Sequence, residues 1–202
     1  MSGLPILVEG STIRALIVGG GAVASRKAAV LLDTGANVRV VAPALGAPMR
    51  ALVNAGRVQL TQRRYEAGDI ADAQLVIAAT DDRAVNAEVA LDAHDAGRLV
   101  NVADVPTEGS FATMATHRAG SLLIGVSAGG VPGAAARIRD AIAVRFDSRY
   151  SRALAELTAI RRTLLDRGDG NTWRSHAADL LDDGFCEAVE HGSLAARVAT
   201  WR

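Results

Sequence analysis

Residues 13–24 read Ile13-Arg14-Ala15-Leu16-Ile17-Val18-Gly19-Gly20-Gly21-Ala22-Val23-Ala24. A short apolar run, three glycines and then small helix-forming residues spell a buried strand, a tight turn and the start of a helix. The spacing fits G-x-G-x-x-G/A. With no side chains at Gly19 and Gly21, the turn can close tightly, and a pyrophosphate can approach the backbone and rest on the free amides of the helix N-terminus. A plain strand-to-helix turn also favours glycine. The triplet gains its meaning from its place inside a strand–helix–strand unit.

Outward from that turn, β-branched runs alternate with alanine-rich periodic segments. Strands are predicted at Ile13–Val18, Val38–Ala42, Val58–Thr61, Leu75–Ala79 and Leu99–Val102, most of them apolar throughout, as suits strands covered on both faces. Helices are predicted at Ala22–Thr34 and Arg83–Ala96, each followed by a glycine, Gly35 or Gly97, able to take a left-handed cap. This pattern predicts an α/β fold with an N-terminal Rossmann-type parallel sheet. After Asp104 the alternation stops. A Pro/Gly-containing loop, a short run near Phe111 and a strand at Leu122–Ser127 lead to a helix at Ala134–Phe146, with Ile138, Ile142 and Phe146 on one face. A following helix aligns Leu154, Leu157, Ile160 and Leu164, and the tail with Trp173, Leu180, Leu181, Phe185 and Val198 reads as short helices. The expected division is a nucleotide-type domain over 1–112, a connecting α+β region over 113–147 and a helical C-terminal domain over 148–202.

Composition narrows the function classes. The 202 residues are half hydrophobic, enough for a sizeable core. Basic and acidic residues number 22 each, so no net charge draws the chain to polyanions or anionic lipid. Aromatics at 3% leave few platforms for stacked bases, so nucleic acid is not expected as a partner. The single Cys186 cannot form an intrachain disulfide, which points to a reducing compartment, with the cytoplasm as the expectation. Met1–Glu9 lacks a cationic region ahead of its apolar run, and no stretch approaches the roughly 18 apolar residues of a spanning helix, so neither secretion nor membrane insertion is expected. His94, His117, His176 and His191 have no short metal-ligand spacing, and no metal site is expected.

In an open parallel sheet, ligands collect beyond the carboxyl ends of the strands. Three polar groups fall there: the glycines, Thr80-Asp81-Asp82, and Asn101 with Asp104. Thr80 and Asp81 suit a helix N-cap as well as a ligand contact, and one residue can serve both. Asp104 suits an Asx turn before Pro106, or a catalytic carboxylate beside a nicotinamide. The end of the second strand, Val40-Val41-Ala42-Pro43-Ala44, lacks the acid that about 20 residues after the glycines normally holds the ribose of NAD. No arginine follows that strand directly to favour a 2′-phosphate, and NAD is the expected dinucleotide. Ser127-Ala128-Gly129-Gly130, leading into a helix at Pro132, exposes amides suited to a carboxylate or serves as a tight connection.

Taken together, Gly19-Gly20-Gly21-Ala22-Val23-Ala24-Ser25-Arg26-Lys27, Ala78-Ala79-Thr80-Asp81-Asp82 with Val85-Asn86, and Val100-Asn101-Val102-Ala103-Asp104 closely resemble the precorrin-2 dehydrogenase family, including the dehydrogenase/ferrochelatase module of siroheme synthase. The resemblance is dense from residue 13 to about 142. It implies NAD-dependent oxidation of precorrin-2 to sirohydrochlorin, with ferrous iron insertion in some members, a central dimerisation region and a homodimer. Family NAD contacts carry over to Gly19, Gly20, Gly21, Ala22, Val23, Pro43 and Ala44, with Thr80 and Asn101 as further candidates. The family aspartate corresponds to Asp104. The tetrapyrrole bears several carboxylates, for which Arg118, Arg137, Ser127, Gly129 and Gly130 are the candidate donors. Two positions depart from the family pattern. Ser127–Gly133 replaces a Ser/Thr-rich stretch ending in Thr-Ser-Pro, and Met114 stands where a proline is familiar. Both lie on the expected substrate and dimer side, away from the glycine turn. A bifunctional dehydrogenase and ferrochelatase, and a non-catalytic NAD-responsive module, are the alternatives.

Overall fold

The computed structural model describes residues 3–201, which fall into two compact units divided between Thr113 and Met114. The first unit is a five-stranded parallel sheet in the order β3-β2-β1-β4-β5. Its strands are β1 (Arg14–Val18), β2 (Asn37–Val41), β3 (Gln59–Thr61), β4 (Leu75–Ala78) and β5 (Leu99–Val102). Helices α1 (Ala22–Leu32) and α2 (Ala47–Asn54) cover one face, where Ala24, Ala28 and Met49 pack on Ile17, Val40 and Ile77. The other face is covered by α3 (Arg83–Asp95), through Val89, Ala90 and Ala93 on Leu16, Val76 and Val100. With both faces buried, the strands need no polar alternation, which is why they read as continuous apolar runs. Alanines on α1 and α3 let the helices lie close to the sheet.

Every strand expected before residue 104 is present, and Gly35 (φ +84°) and Gly97 (φ +64°) take the left-handed conformation just past α1 and α3. Helix α2 was not expected. It is only eight residues long and begins Gly46-Ala47-Pro48, which reads as a loop; here Pro48 sits in the first turn, where its missing N–H costs no hydrogen bond.

The second unit opens with an antiparallel hairpin, β6 (Ala115–Ala119) and β7 (Leu122–Val126), turning at Gly120 (φ +61°). Strand β6 carries Thr116, His117 and Arg118, and its polarity hid it in the sequence. Met114, the departure noted above, lies over Gly125, where a Cβ would come within 2.8 Å of its Cε. Then come α4 (Pro132–Arg145), α5 (Ser148–Asp166), α6 (Gly170–Leu180), α7 (Phe185–Glu190) and α8 (Leu194–Val198). Asp147 caps α5 by accepting from the amide of Arg149. The helical core joins Tyr150, Ala153, Leu157, Ile160 and Leu164 of α5 to Leu180, Val189 and Val198; Leu154 is only half-buried. No helix among the described residues is long and apolar enough to cross a membrane.

Candidate active site

The carboxyl ends of β1, β2 and β4 open into a groove of about 500 Å³. Gly19, Gly20 and Gly21 form its floor; Pro43, Ala44, Leu45 and Gly46 form one wall, and Thr80, Asp81, Asp82 and Val85 another. The loop after β3 contributes Arg64 and Tyr65.

The three glycines are required for three different reasons. Gly19 has φ +130°, and a Cβ there would stand 2.3 Å from the Ala79 carbonyl oxygen. Gly20 would bring its Cβ within 2.1 Å of the Ala44 carbonyl oxygen, and its own carbonyl accepts from the amide of Gly46. Both permit close backbone packing. Gly21 is different: its φ is −80°, and a Cβ would meet nothing within 4 Å. It is the N-cap of α1 and offers no side chain to the first-turn amides. Its bareness leaves an open space in front of those amides, at the positive end of the helix, and a diphosphate fits there. Of the contacts expected from sequence, Gly19, Gly20, Gly21, Pro43, Ala44 and Thr80 line the groove, while Ala22 and Val23 form the first turn of α1 beside it.

Asn101 does not line it. The side chain is buried on β5, where its Nδ2 donates to the Phe111 carbonyl at 3.0 Å and its Oδ1 is buried with no hydrogen-bond donor. Its neighbour in the motif, Asp104, is half-exposed and tied back toward the groove through Asn86. Asn86, on the buried side of α3, donates from Nδ2 to Asp104 Oδ1 at 3.0 Å and to the Thr80 carbonyl at 3.2 Å. Its Oδ1 accepts from the Thr80 amide at 3.0 Å and the Thr80 hydroxyl at 2.8 Å. One buried amide thus links a groove residue to the candidate acid, a role no local pattern in the sequence announces. The remaining carboxylate oxygen, Asp104 Oδ2, lies 3.8 Å from the Arg83 guanidinium, which also pairs with Glu108. The N-cap of α3 is Asp82 rather than Thr80 or Asp81: it accepts from the amides of Ala84 and Val85, its own amide donates to the Thr80 hydroxyl at 3.2 Å, and it lines the groove, so capping and groove lining coexist there.

The Tyr65 hydroxyl donates to Asp92 at 2.8 Å, and burial together with that carboxylate pushes its pKa well above the usual phenol range, so it remains protonated. The candidates Arg118, on β6, and Arg137, on α4, are exposed in the second unit, as are Ser127, Gly129 and Gly130 between β7 and α4. Gly129 and Gly130 have φ +56° and +88°, so the turn itself calls for glycine.

Siroheme synthases are among the curated proteins similar to this chain. That of Pseudomonas paraeruginosa is 37% identical over 194 residues, 93% of this chain and 39% of that protein. That of Methylococcus capsulatus is 42% identical over 213 residues, 100% of this chain and 45% of that protein. The chain thus spans less than half the length of these relatives. Among solved structures, SirC, a precorrin-2 dehydrogenase, superposes with a TM-score of 0.77 over 98% of this chain and 100% of its own, at 23% identity, a likeness of fold. Residues 6–115, more than half of its length and the whole of the glycine-floored groove, match the family described as "Putative NAD(P)-binding", and the chain belongs to that family.

Proposed function

We propose that the chain oxidises precorrin-2 to sirohydrochlorin, with NAD as the hydride acceptor. The observation that carries this reading is the tie from Thr80, in the dinucleotide groove, through buried Asn86 to the carboxylate of Asp104. The similarity to siroheme synthases and to a precorrin-2 dehydrogenase supports the choice of substrate.

When bound, NAD supplies the hydride acceptor. Gly19–Gly21, the first-turn amides of α1 and the Pro43–Gly46 wall hold it. Asp104 takes the proton lost from carbon or nitrogen of the reduced macrocycle as the hydride leaves, so one hydride and one proton depart together and the tetrapyrrole is oxidised by two electrons. Asn86 holds one oxygen of that carboxylate, and the other, which has only the 3.8 Å ion pair with Arg83, takes the proton. Arg118, Arg137 and the Ser127–Gly130 turn are proposed as donors to substrate carboxylates. Residues 113–147 are proposed as the dimerisation region of a homodimer. Val131, Ile138 and Val144 on and beside α4 are 57%, 48% and 80% exposed, and the two-stranded hairpin, though backed by α4 and α5, leaves an unpaired edge on each strand. A cytoplasmic, reducing setting suits the free Cys186.

The test follows the absorbance of precorrin-2 incubated with NAD. NAD-dependent conversion to sirohydrochlorin is expected. Asp104→Asn lowers turnover on the order of 10²-fold to 10⁴-fold while leaving NAD affinity nearly intact. An Asp104→Asn enzyme that turns over normally removes this residue from the mechanism. A wild-type chain that binds NAD without oxidising precorrin-2 removes the activity and leaves the NAD-responsive module.

A further inference from the structure

Arg83 stands where a helix least favours a cation. It is the first residue of α3, next to the N-cap Asp82, at the positive end of the helix dipole, where acids are favoured. Two carboxylates from beyond β5 account for it there. Its guanidinium donates to Glu108, and its Nε lies 3.8 Å from Asp104 Oδ2, past hydrogen-bond reach. One cation is thus shared between two acids, closely with Glu108 and loosely with the candidate base.

The unequal sharing is built into the backbone. Glu108 closes the 3-10 turn Pro106–Glu108: its amide donates to the Val105 carbonyl at 3.0 Å, and its carbonyl meets His94 Nε2, on the last turn of α3, at 2.9 Å. With both peptide groups engaged, Glu108 is held at a fixed place beside α3 and draws the guanidinium to itself. Asp104 is fixed from the other side, since Asn86, one turn along α3 from Arg83, donates to its Oδ1 at 3.0 Å. The charged groups that neighbouring elements bring toward Asp104 are Arg83 of α3, Glu108 of the turn, and Asp81 and Asp82 after β4. Asp82 is engaged with the amides of Ala84 and Val85, and His94 reaches the Glu108 carbonyl. Glu108 is the one acid besides Asp104 that pairs with Arg83 among the described residues.

We propose that Arg83 is a positioning residue for the proton-transfer step and that Glu108 sets its reach, holding the guanidinium near enough to orient the Asp104 carboxylate and too far to tie up the oxygen that takes the proton. The proposal rests on the reading of Asp104 as the base and deepens it. A carboxylate in hydrogen-bond contact with a cation keeps its charge and is a poorer proton acceptor, whereas one with no cation near it is protonated more readily and is lost as a base at higher pH. Guanidinium and carboxylate close easily into a charge-assisted pair. Without the Glu108 charge, Arg83 is free to close on Asp104 Oδ2.

The pH dependence of kcat for precorrin-2 oxidation by the full chain at saturating NAD, measured on wild type, Glu108→Gln, Arg83→Gln, Arg83→Lys and the double variant Glu108→Gln/Arg83→Gln, tests this. Glu108→Gln is expected to lower kcat about 3-fold to 30-fold and to move the acid limb of the profile to lower pH by about half a pH unit to one, as the freed guanidinium closes on the base. Arg83→Gln moves that limb the opposite way by a similar amount, and Arg83→Lys brings it part of the way back. Because Glu108 acts through Arg83, the double variant keeps the profile of Arg83→Gln alone. NAD affinity stays nearly intact throughout, since neither residue lines the groove. An acid limb that stays in place in both single variants, or moves in the same direction in both, overturns the proposal while leaving Asp104 as the base. A wild type that binds NAD without oxidising precorrin-2 removes the reaction itself, and the proposal with it.

Discussion

Gly21→Ser separates what the fold needs from what the ligand needs. At φ −80° and ψ −173°, Gly21 already has the extended backbone of an N-cap, and a Cβ there meets nothing within 4 Å, so a serine enters without strain. Its hydroxyl accepts from a first-turn amide of α1 that has no side-chain partner in the native chain. Serine exceeds glycine as an N-cap by a few tenths of a kcal/mol, which raises the melting temperature by about 1 °C for a chain of this size. The same hydroxyl occupies an amide that the diphosphate requires, and the added atoms stand in its space. One charge-assisted hydrogen bond is worth about 1.5–3 kcal/mol, so the Kd for NAD rises roughly 10-fold to 150-fold. Thermal denaturation without ligand, paired with calorimetric titration of NAD, reads both effects. A variant that melts higher and binds NAD as tightly as wild type would show that no phosphate rests on the α1 amides, and the groove would lose its assignment.

The neighbouring glycines respond in the opposite sense. Gly20→Ala forces a Cβ to within 2.1 Å of the Ala44 carbonyl oxygen, and it is expected to destabilise the chain by about 1–3 kcal/mol, seen as a lowered melting temperature before any ligand is added. Asn86→Leu strips Thr80 and Asp104 of their shared partner. A cost of about 2–4 kcal/mol is expected in denaturant titration, together with a fall in turnover at temperatures where the variant is still folded; full turnover in the folded variant would deny Asn86 any hold on the acid. Asp69 is held below the usual carboxylate value of 3.8, chiefly by its hydrogen bonds from Arg63. A lowered folded-state pKa gives stability that is complete above the unfolded value and is lost as the pH falls through the folded one. Wild type therefore loses stability progressively below about pH 4, and Asp69→Asn, weaker at neutral pH, shows a flatter acid limb in denaturation followed from pH 6 to pH 2.

How much of this was legible in the sequence depended on whether the determining contacts were local. The five parallel strands announced themselves because both faces of the sheet are buried, which leaves β-branched residues no solvent side to give up. The glycine turn was legible for the same reason, since φ at Gly19 and the open front of Gly21 are properties of consecutive residues. Helix α2 and strand β6 were not, because each is short and its residues meet no strict period: α2 is capped by Gly46 and carries Pro48 in its first turn, and β6 is rich in polar side chains on a hairpin. Asn101 stood correctly at the end of a strand, yet its side chain turns to the Phe111 carbonyl, and nothing in the order of residues distinguishes that from a ligand contact. Arg64 comes from a loop organised around Asp69, and it joins the groove lining only once β3 is laid beside β2.

The Asn86 amide shows why such a contact escapes pattern reading yet is strongly determined once folded. The backbone N–H of Thr80 can only donate and its carbonyl can only accept, so the orientation of the amide follows: Oδ1 must face the former and Nδ2 the latter. A flip would set oxygen against oxygen and nitrogen against hydrogen in a place closed to water. The second hydrogen on Nδ2 is then directed at Asp104, which lies 18 residues along the chain at the end of a different strand. Aspartate at position 86 would bring a second charge against Asp104 and an oxygen against the Thr80 carbonyl, and leucine would satisfy neither neighbour. The residue that aims the candidate acid is thus set by the strand end it caps, and the groove and the acid keep their register because both are referred to the backbone of Thr80.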